Sequence, residues 1–292
     1  MVSGSDEVFT TGETTVKLRD RIGIDVNRNI RIEEGVEWAA KNSVKFLDFQ
    51  LDNETNAVTS FDAKRVSAVR SVREKHDIHI GLHTSSAVNV AEYAPHASAG
   101  VDEYLKSYVD IYSKLGAEWI VVHAGYHFTK DKETRMKAGL ERLKRIADYA
   151  EKNNVRLLLE NLNKEPKDAE VHYLAHTLEE WRYYWGLLAS PAVRLSFTVN
   201  HAHLVPEGVS GFSDALDFSL VGEVRLADCY RNGHEVHLKP GAGDLDFGDM
   251  FRRVEGKGFK GHYTNAFGSL EDRLSARDYL VDTARNAGVK VD

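Results

Sequence analysis

Imidazoles and carboxylates recur in this sequence at one kind of place, directly behind short β-forming runs. His83 closes IHIGLH, His123 closes EWIVVH with Tyr126 and His127 close behind, and Glu160 closes VRLLLE ahead of Asn161 and Asn163. Another run leads into Thr198-Val-Asn200-His201-Ala-His203. The next leads into Asp228 and a loop with Arg231, His234, Glu235, His237 and Lys239, and a last one ends at Asn265. Imidazole with carboxylate is the ligand set of Zn, Mn, Fe or Co, whereas all-oxygen sets suit Mg or Ca. Three such donors leave positions open for water or substrate, and an ion held that way polarises a carbonyl or brings a bound water to a pKa of about 7. A single strand-end histidine is ordinarily a hydrogen-bonded structural residue. Five residues in the same context, His83, His123, Glu160, His201 and His237, point instead to a divalent metal ion, with Zn, Mn or Co expected. His76, His96, His172 and His176 fall in helix or loop positions, where ordinary structural roles are expected, and His79 and His262 precede their strand ends and are expected to point outward or pack.

The elements that must bring these residues together recur as well. RIGIDVN near residue 21, VKFLDFQ near 44, IHIGLHTS near 78, EWIVVHAG near 118, VRLLLENLN near 155, VRLSFTVNHAH near 193, EVRLADC near 223 and FKGHYTNAF near 259 are eight candidate strands. The unbroken run Leu157-Leu158-Leu159 suits a strand covered on both faces in a parallel sheet. Amphipathic sequence fills most intervals. Leu140, Leu143, Ile146, Ala147 and Ala150 return at three- and four-residue steps before a stop at Asn153-Asn154, and Gly116 ends the preceding helix. Eight strand–helix units at intervals of about 30 to 40 residues predict an α/β fold closed as a (β/α)8 TIM barrel. It would be a single domain over residues 20–292, behind a flexible lead-in at 1–19. No G-x-G-x-x-G follows the first strand, which disfavours an open dinucleotide-binding sheet. PGAGDLDF, residues 240–247, reads as a tight loop with Asp246 capping the next helix, which would hold His237 in position.

The 292-residue chain is 42% hydrophobic and 28% charged, as soluble globular proteins are. Its net charge of −7 argues against a nucleic-acid partner, because phosphates need a basic face. The one cysteine, Cys229, cannot make an internal disulfide. The N-terminus MVSGSDEVFTTGETT lacks an apolar leader core, and no run nears the roughly 18 residues of a membrane span. A cytoplasmic protein without a membrane partner is expected.

IGIDVN, the strand ending at His83, VVHAG, LLLENL, NHAHL and the H-x-x-PG-x-G-x-x-D-F loop together resemble the xylose isomerase-like TIM barrels over nearly the whole chain. That superfamily contains sugar isomerases and epimerases, dehydratase-like lyases, deglycosidases and apurinic endonucleases. Its epimerases hold one divalent metal with Glu, Asp, His and Glu. On the resemblance these fall on Glu160, Thr198 (with His201 as the His of D-x-x-H), Ala227 and Asn265, so three of four ligands are altered. The endonuclease branch implies flanking metal positions at His83 and His123 and at Glu235 with His237, again with His201. The metal ligands implied are therefore His83, His123, Glu160, His201, Glu235 and His237.

The activity expected is a metal-dependent isomerase or epimerase acting on a sugar, sugar acid or polyol through proton abstraction beside a metal-polarised carbonyl. His201 or Glu160 would serve as base and Tyr126, Asp228 or Lys239 as acid. Asn161, Arg231, Lys239 and Asn265 would bind the carbohydrate. The alternatives are a dehydratase- or deglycosidase-type lyase, a metal-dependent hydrolase of the endonuclease type, and a noncatalytic sugar-binding barrel. Relatives pair as dimers or tetramers, so a homo-oligomer is implied. WRYYW, residues 181–185, reads as a helix packing Trp181 and Trp185 on the barrel.

Overall fold

A computed structural model describes residues 16–26 and 30–292. Residues 1–15 of the expected lead-in, and Asn27 of IGIDVN, lie outside the described residues; Leu18 already opens a first helical turn. In chain order the elements are α1 (Leu18–Arg21), β1 (Ile22–Asp25), α2 (Ile32–Lys41), β2 (Phe46–Gln50), α3 (Ala63–His76), β3 (His79–His83), α4 (Pro95–Leu115) and β4 (Trp119–Val122). There follow β5 (Tyr126–His127), α5 (Lys132–Lys152), β6 (Leu157–Glu160), β7 (His172–Tyr173), α6 (Leu178–Leu188), β8 (Val193–Thr198) and α7 (Val199–His203). The chain ends through α8 (Gly208–Ala215), β9 (Val221–Leu226), α9 (Phe247–Gly256), β10 (His262–Asn265) and α10 (Leu270–Asn286).

Each of the eight expected runs supplies one barrel strand. They close in the order β1-β2-β3-β4-β6-β8-β9-β10, every pair parallel. The helical stripe of α5 is buried as its spacing requires, Gly116 ends α4 with φ 68°, and Asp246 caps α9 by accepting from the Asp249 N–H. On α6 Trp181 is fully buried and crosses Trp185 at 4.9 Å between ring centroids, a packing arrangement against the barrel. Among the described residues no helix is long and apolar enough to cross a membrane.

Two features depart from the sequence reading. Tyr126–His127 and His172–Tyr173 pair as an antiparallel ribbon in the loops behind β4 and β6. The run ending in NHAH is extended only to Thr198 and then turns into α7. Asn161 explains the stop: its side-chain oxygen accepts the Thr198 N–H at 2.8 Å and its amide donates to the Thr198 carbonyl at 3.0 Å. Both backbone groups that would carry the ladder onward are thereby satisfied. His203 accordingly lies on a helix and pairs with Asp244 at 2.7 Å.

The lumen is layered. At its N-terminal end Phe46, His79, Trp119 and His262 pack ring on ring, with centroids 4.7 Å apart for Phe46–His79 and Phe46–His262 and 4.3 Å for Trp119–His262. Of the two expectations for His79 and His262, pointing outward or packing, packing holds for both, and it takes place inside the barrel. Gly81 is required here, because a Cβ would lie 2.0 Å from the Trp119 ring. Above the rings the filling is polar, with Asp48, Ser196, Glu223 and Arg225 all buried.

Gly81→Ala is therefore expected to destabilise the barrel by about 1–3 kcal/mol through overpacking. Gly100→Ala in α4, where an added methyl meets nothing within 4 Å, should instead stabilise by up to about 1 kcal/mol. Urea denaturation of both variants checks this, and equal midpoints would contradict the packing described.

Candidate metal centre

Parallel strands deliver their C-terminal residues to one mouth. His83 is the last residue of β3, His123 follows β4 directly, and Glu160 is the last of β6. All three are buried, and their donor atoms converge. His83 Nε2 lies 3.2 Å from His123 Nε2, His123 Nε2 lies 3.0 Å from Glu160 Oε2, and His83 Nε2 lies 3.4 Å from the same oxygen. A tetrahedral ion with bonds of about 2.0–2.1 Å needs donor–donor edges of about 3.3 Å, so the triangle has the size of one coordination face. Two imidazole nitrogens turned toward each other and toward one carboxylate oxygen make a poor hydrogen-bond pattern and a good ligand set. The opposite ring nitrogens are held as ligand histidines usually are. His83 Nδ1–H donates to Asp48 Oδ2 at 3.1 Å, and Thr84 Oγ1 lies 3.4 Å from His123 Nδ1.

The electrostatics separate the two histidines. Burial and nearby Arg225 oppose charge on His83, but hydrogen bonds to Asp48 and Glu160 outweigh them and raise its pKa to about 10. Burial dominates at His123 and lowers its pKa. Glu160 is kept ionised well below the usual carboxylate range: burial opposes its charge, and the bonds from His123 and His83 more than compensate. Its second oxygen, Oε1, accepts the Thr198 hydroxyl at 2.5 Å.

A second donor group forms from α7 and the loop after β9. His237 Nε2 lies 2.6 Å and His201 Nε2 3.7 Å from Glu235 Oε1. His201 Nδ1–H donates to the Asn161 carbonyl at 2.8 Å and His237 Nδ1–H to the Ala266 carbonyl at 2.5 Å, so both rings turn Nε2 toward Glu235. Burial opposes charge on this pair too, yet hydrogen bonds from His201 and His237 lower the Glu235 pKa, and the bond to Glu235 raises that of His237. His201 Nδ1 is 3.7 Å from Glu160 Oε1, which brings the two groups side by side.

Other expected site residues have different work. Asp228, expected as an acid, is buried, and its carboxylate accepts the N–H groups of Cys229, Gly241, Gly243 and Leu245 at 2.9–3.1 Å. It anchors the PGAGD loop and has no free face toward the mouth. Asn161 spends its amide on Thr198. Asn265 is fully buried on the outer side of β10, donating to the Arg273 carbonyl of α10 at 2.8 Å. Arg231 and Lys239 are exposed loop cations whose side chains reach the Pro206 carbonyl and the Ser275 hydroxyl. Tyr126 lies on the ribbon, edge-on to Phe128 and Tyr173.

The sequence reading missed two residues that touch the centre. Asp48 holds His83, and Arg225 ties Asp48, Asp25 and Glu223 together with its Nε 3.9 Å from Glu160 Oε1. Ala227, aligned with the family's histidine, packs instead with Phe267 and Ala276, and Arg225 faces the lumen from that strand. A charged residue inside a buried strand run, FLDFQ or EVRLAD, was the available signal.

Residues 36–277 match the family model of the xylose isomerase-like TIM barrel. Among curated proteins none matches the sequence significantly. Among solved structures the chain is similar to a D-tagatose 3-epimerase-like protein, with 17% identity over 91% of this chain and 98% of that one and a TM-score of 0.77. It is also similar to D-psicose 3-epimerase from Clostridium cellulolyticum H10 (16% identity, 92% and 99% covered, TM-score 0.74). A third likeness is to 3-keto-D-glucoside 4-epimerase from E. coli (14%, 91% and 99%, TM-score 0.71). At these identities the likeness is one of fold.

The raised pKa of His83 has a stability consequence. With an unfolded value near 6.5 and a folded value of about 10, its contribution is full below pH of about 6.5 and is lost as pH rises through about 10. In chelator-treated protein the Tm of wild type should therefore fall more between pH 6 and 10 than that of His83→Gln. Parallel curves would show that no charged imidazole is held there.

Proposed function

Because the chain belongs to the xylose isomerase-like TIM barrel family, we propose that it is a divalent-metal-dependent enzyme moving a proton on a sugar carbon adjacent to a carbonyl. The observation that carries this reading is the convergence of His83, His123 and Glu160 at 3.0–3.4 Å, a donor set and size that fit Zn, Mn or Co. The sugar substrate class is supported by the fold relatives, which are named as epimerases of sugars.

A bound ion would polarise the substrate carbonyl and so acidify the neighbouring C–H. The rest falls to the chain. Glu160 turns one carboxylate oxygen to the imidazoles and keeps the other on Thr198, so an ionised base stands at the mouth. The proton on the His237–Glu235 pair, 2.6 Å across, is the one available to return. The same two residues with His201 are a second donor group, and a second ion taken up there at full loading would displace that proton.

Elimination is the second reading, and a specific observation favours it. A 3-epimerase shuttle uses a carboxylate on each side of the carbon, and Asn265, aligned with the second one, is buried against α10. A protonated His237 can give its proton to a departing hydroxyl as readily as to carbon.

Elemental analysis after chelation and reloading should show up to two ions per chain, reduced by one in His123→Ala. No uptake, with Tm unchanged by Zn, Mn or Co, would overturn the metal reading. In deuterium oxide with a panel of keto-sugars, label at the carbon beside the carbonyl marks epimerisation or isomerisation, and an unsaturated product marks elimination. Glu160→Gln should slow either by about 10²–10⁴-fold.

A further inference from the structure

We propose that Arg225 is a positioning residue for the three-donor centre, a fixed internal cation that holds Asp48 on His83 and braces Glu160 at the barrel mouth. The inference rests on the metal reading above and concerns how the chain builds that centre.

Arg225 lies on β9 with only 4% of its surface exposed. Its guanidinium points down the lumen. Nη1 meets Asp48 Oδ2 and, at 3.1 Å, Glu223 Oε1; Nη2 meets Asp25 Oδ2; Nε stands 3.9 Å from Glu160 Oε1. With its fork committed to three carboxylates, it presents that fork to the lumen and not to a substrate in the mouth, so it acts through other residues.

The route to the centre is short. Asp48 Oδ1 accepts the Trp119 indole N–H at 3.1 Å, and Oδ2 is shared between the Arg225 guanidinium and the His83 Nδ1–H. Asp48 is fully buried, and a buried carboxylate needs paired donors to stay in place. Arg225 supplies the charge, Trp119 fixes the orientation, and the remaining lone pair sets the His83 ring so that Nε2 faces His123 and Glu160. Four carboxylates, Asp25, Asp48, Glu160 and Glu223, surround this one guanidinium, which makes it the central counter-charge of the lumen. Groups that orient a ligand histidine typically change metal affinity by about 10–100-fold when removed.

Cobalt(II) reports both affinity and geometry, through competition with a chelating dye and through its visible d–d bands. Wild type should bind Co(II) with the strong bands of a tetrahedral site. Arg225→Ala and Asp48→Asn should each weaken binding by about 10–100-fold and diminish or shift the bands. Arg225→Lys should fall between, and millimolar guanidinium should partly restore Arg225→Ala. Asp48→Asn tests the link while keeping Arg225, so it decides the matter if Arg225→Ala does not fold. Folded Arg225→Ala or Asp48→Asn protein with wild-type affinity and spectrum would overturn the positioning role and leave Arg225 as lumen filling. Absence of Co(II) binding in wild type would overturn the metal reading itself, and this inference with it.

Discussion

Ionised groups in the barrel lumen must find partners there, because an unpaired charge out of water costs several kcal/mol. Asp48 is where that constraint is met. One of its oxygens takes the Trp119 indole and the other is divided between Arg225 and His83. The indole can reach it only because Gly81 has no side chain, and the ring floor of Phe46, His79 and His262 holds Trp119 in place. Packing at the closed end of the barrel and ligand geometry at the open end are therefore parts of one structure.

Glu160 sits where this lattice meets the mouth. It faces His83 and His123 with one oxygen, Thr198 with the other, and lies close to both Arg225 and His201. A carboxylate so surrounded stays charged, which suits a ligand and a base alike. Two donor groups lie side by side at the mouth, with the Arg225 guanidinium 3.9 Å from Glu160 in the first of them.

The second donor group depends on backbone rather than on buried charge. Asp228 gathers four N–H groups of the loop behind β9, and the Asn161 and Ala266 carbonyls set the two rings. Residues that looked like chemistry in the sequence, Asp228 and Asn161 above all, turn out to build the walls that hold the chemistry. Both are strand-end polar residues, and such residues face two demands: the mouth needs functional groups, and the loops leaving it need caps.

The sequence by itself determined the barrel, because strand burial on both faces and helical stripes are periodic signals carried by neighbouring residues. It also determined which strands end in imidazole or carboxylate, and hence that His83, His123 and Glu160 were candidates for one site at the mouth. Only the tertiary structure decided which way a strand-end residue turns. Asn265 points to α10, and Ala227, one residue past the end of β9, packs with Phe267 and Ala276 while Arg225 within the strand points inward, since the alternation that separates lumen from helix layer stops where the strand stops. It alone also decided the partners of Asp48 and Arg225, which are 177 residues apart in the chain. Pairing of buried charges across such separations leaves no local pattern, because it is set by the closure of the sheet and not by the residues on either side.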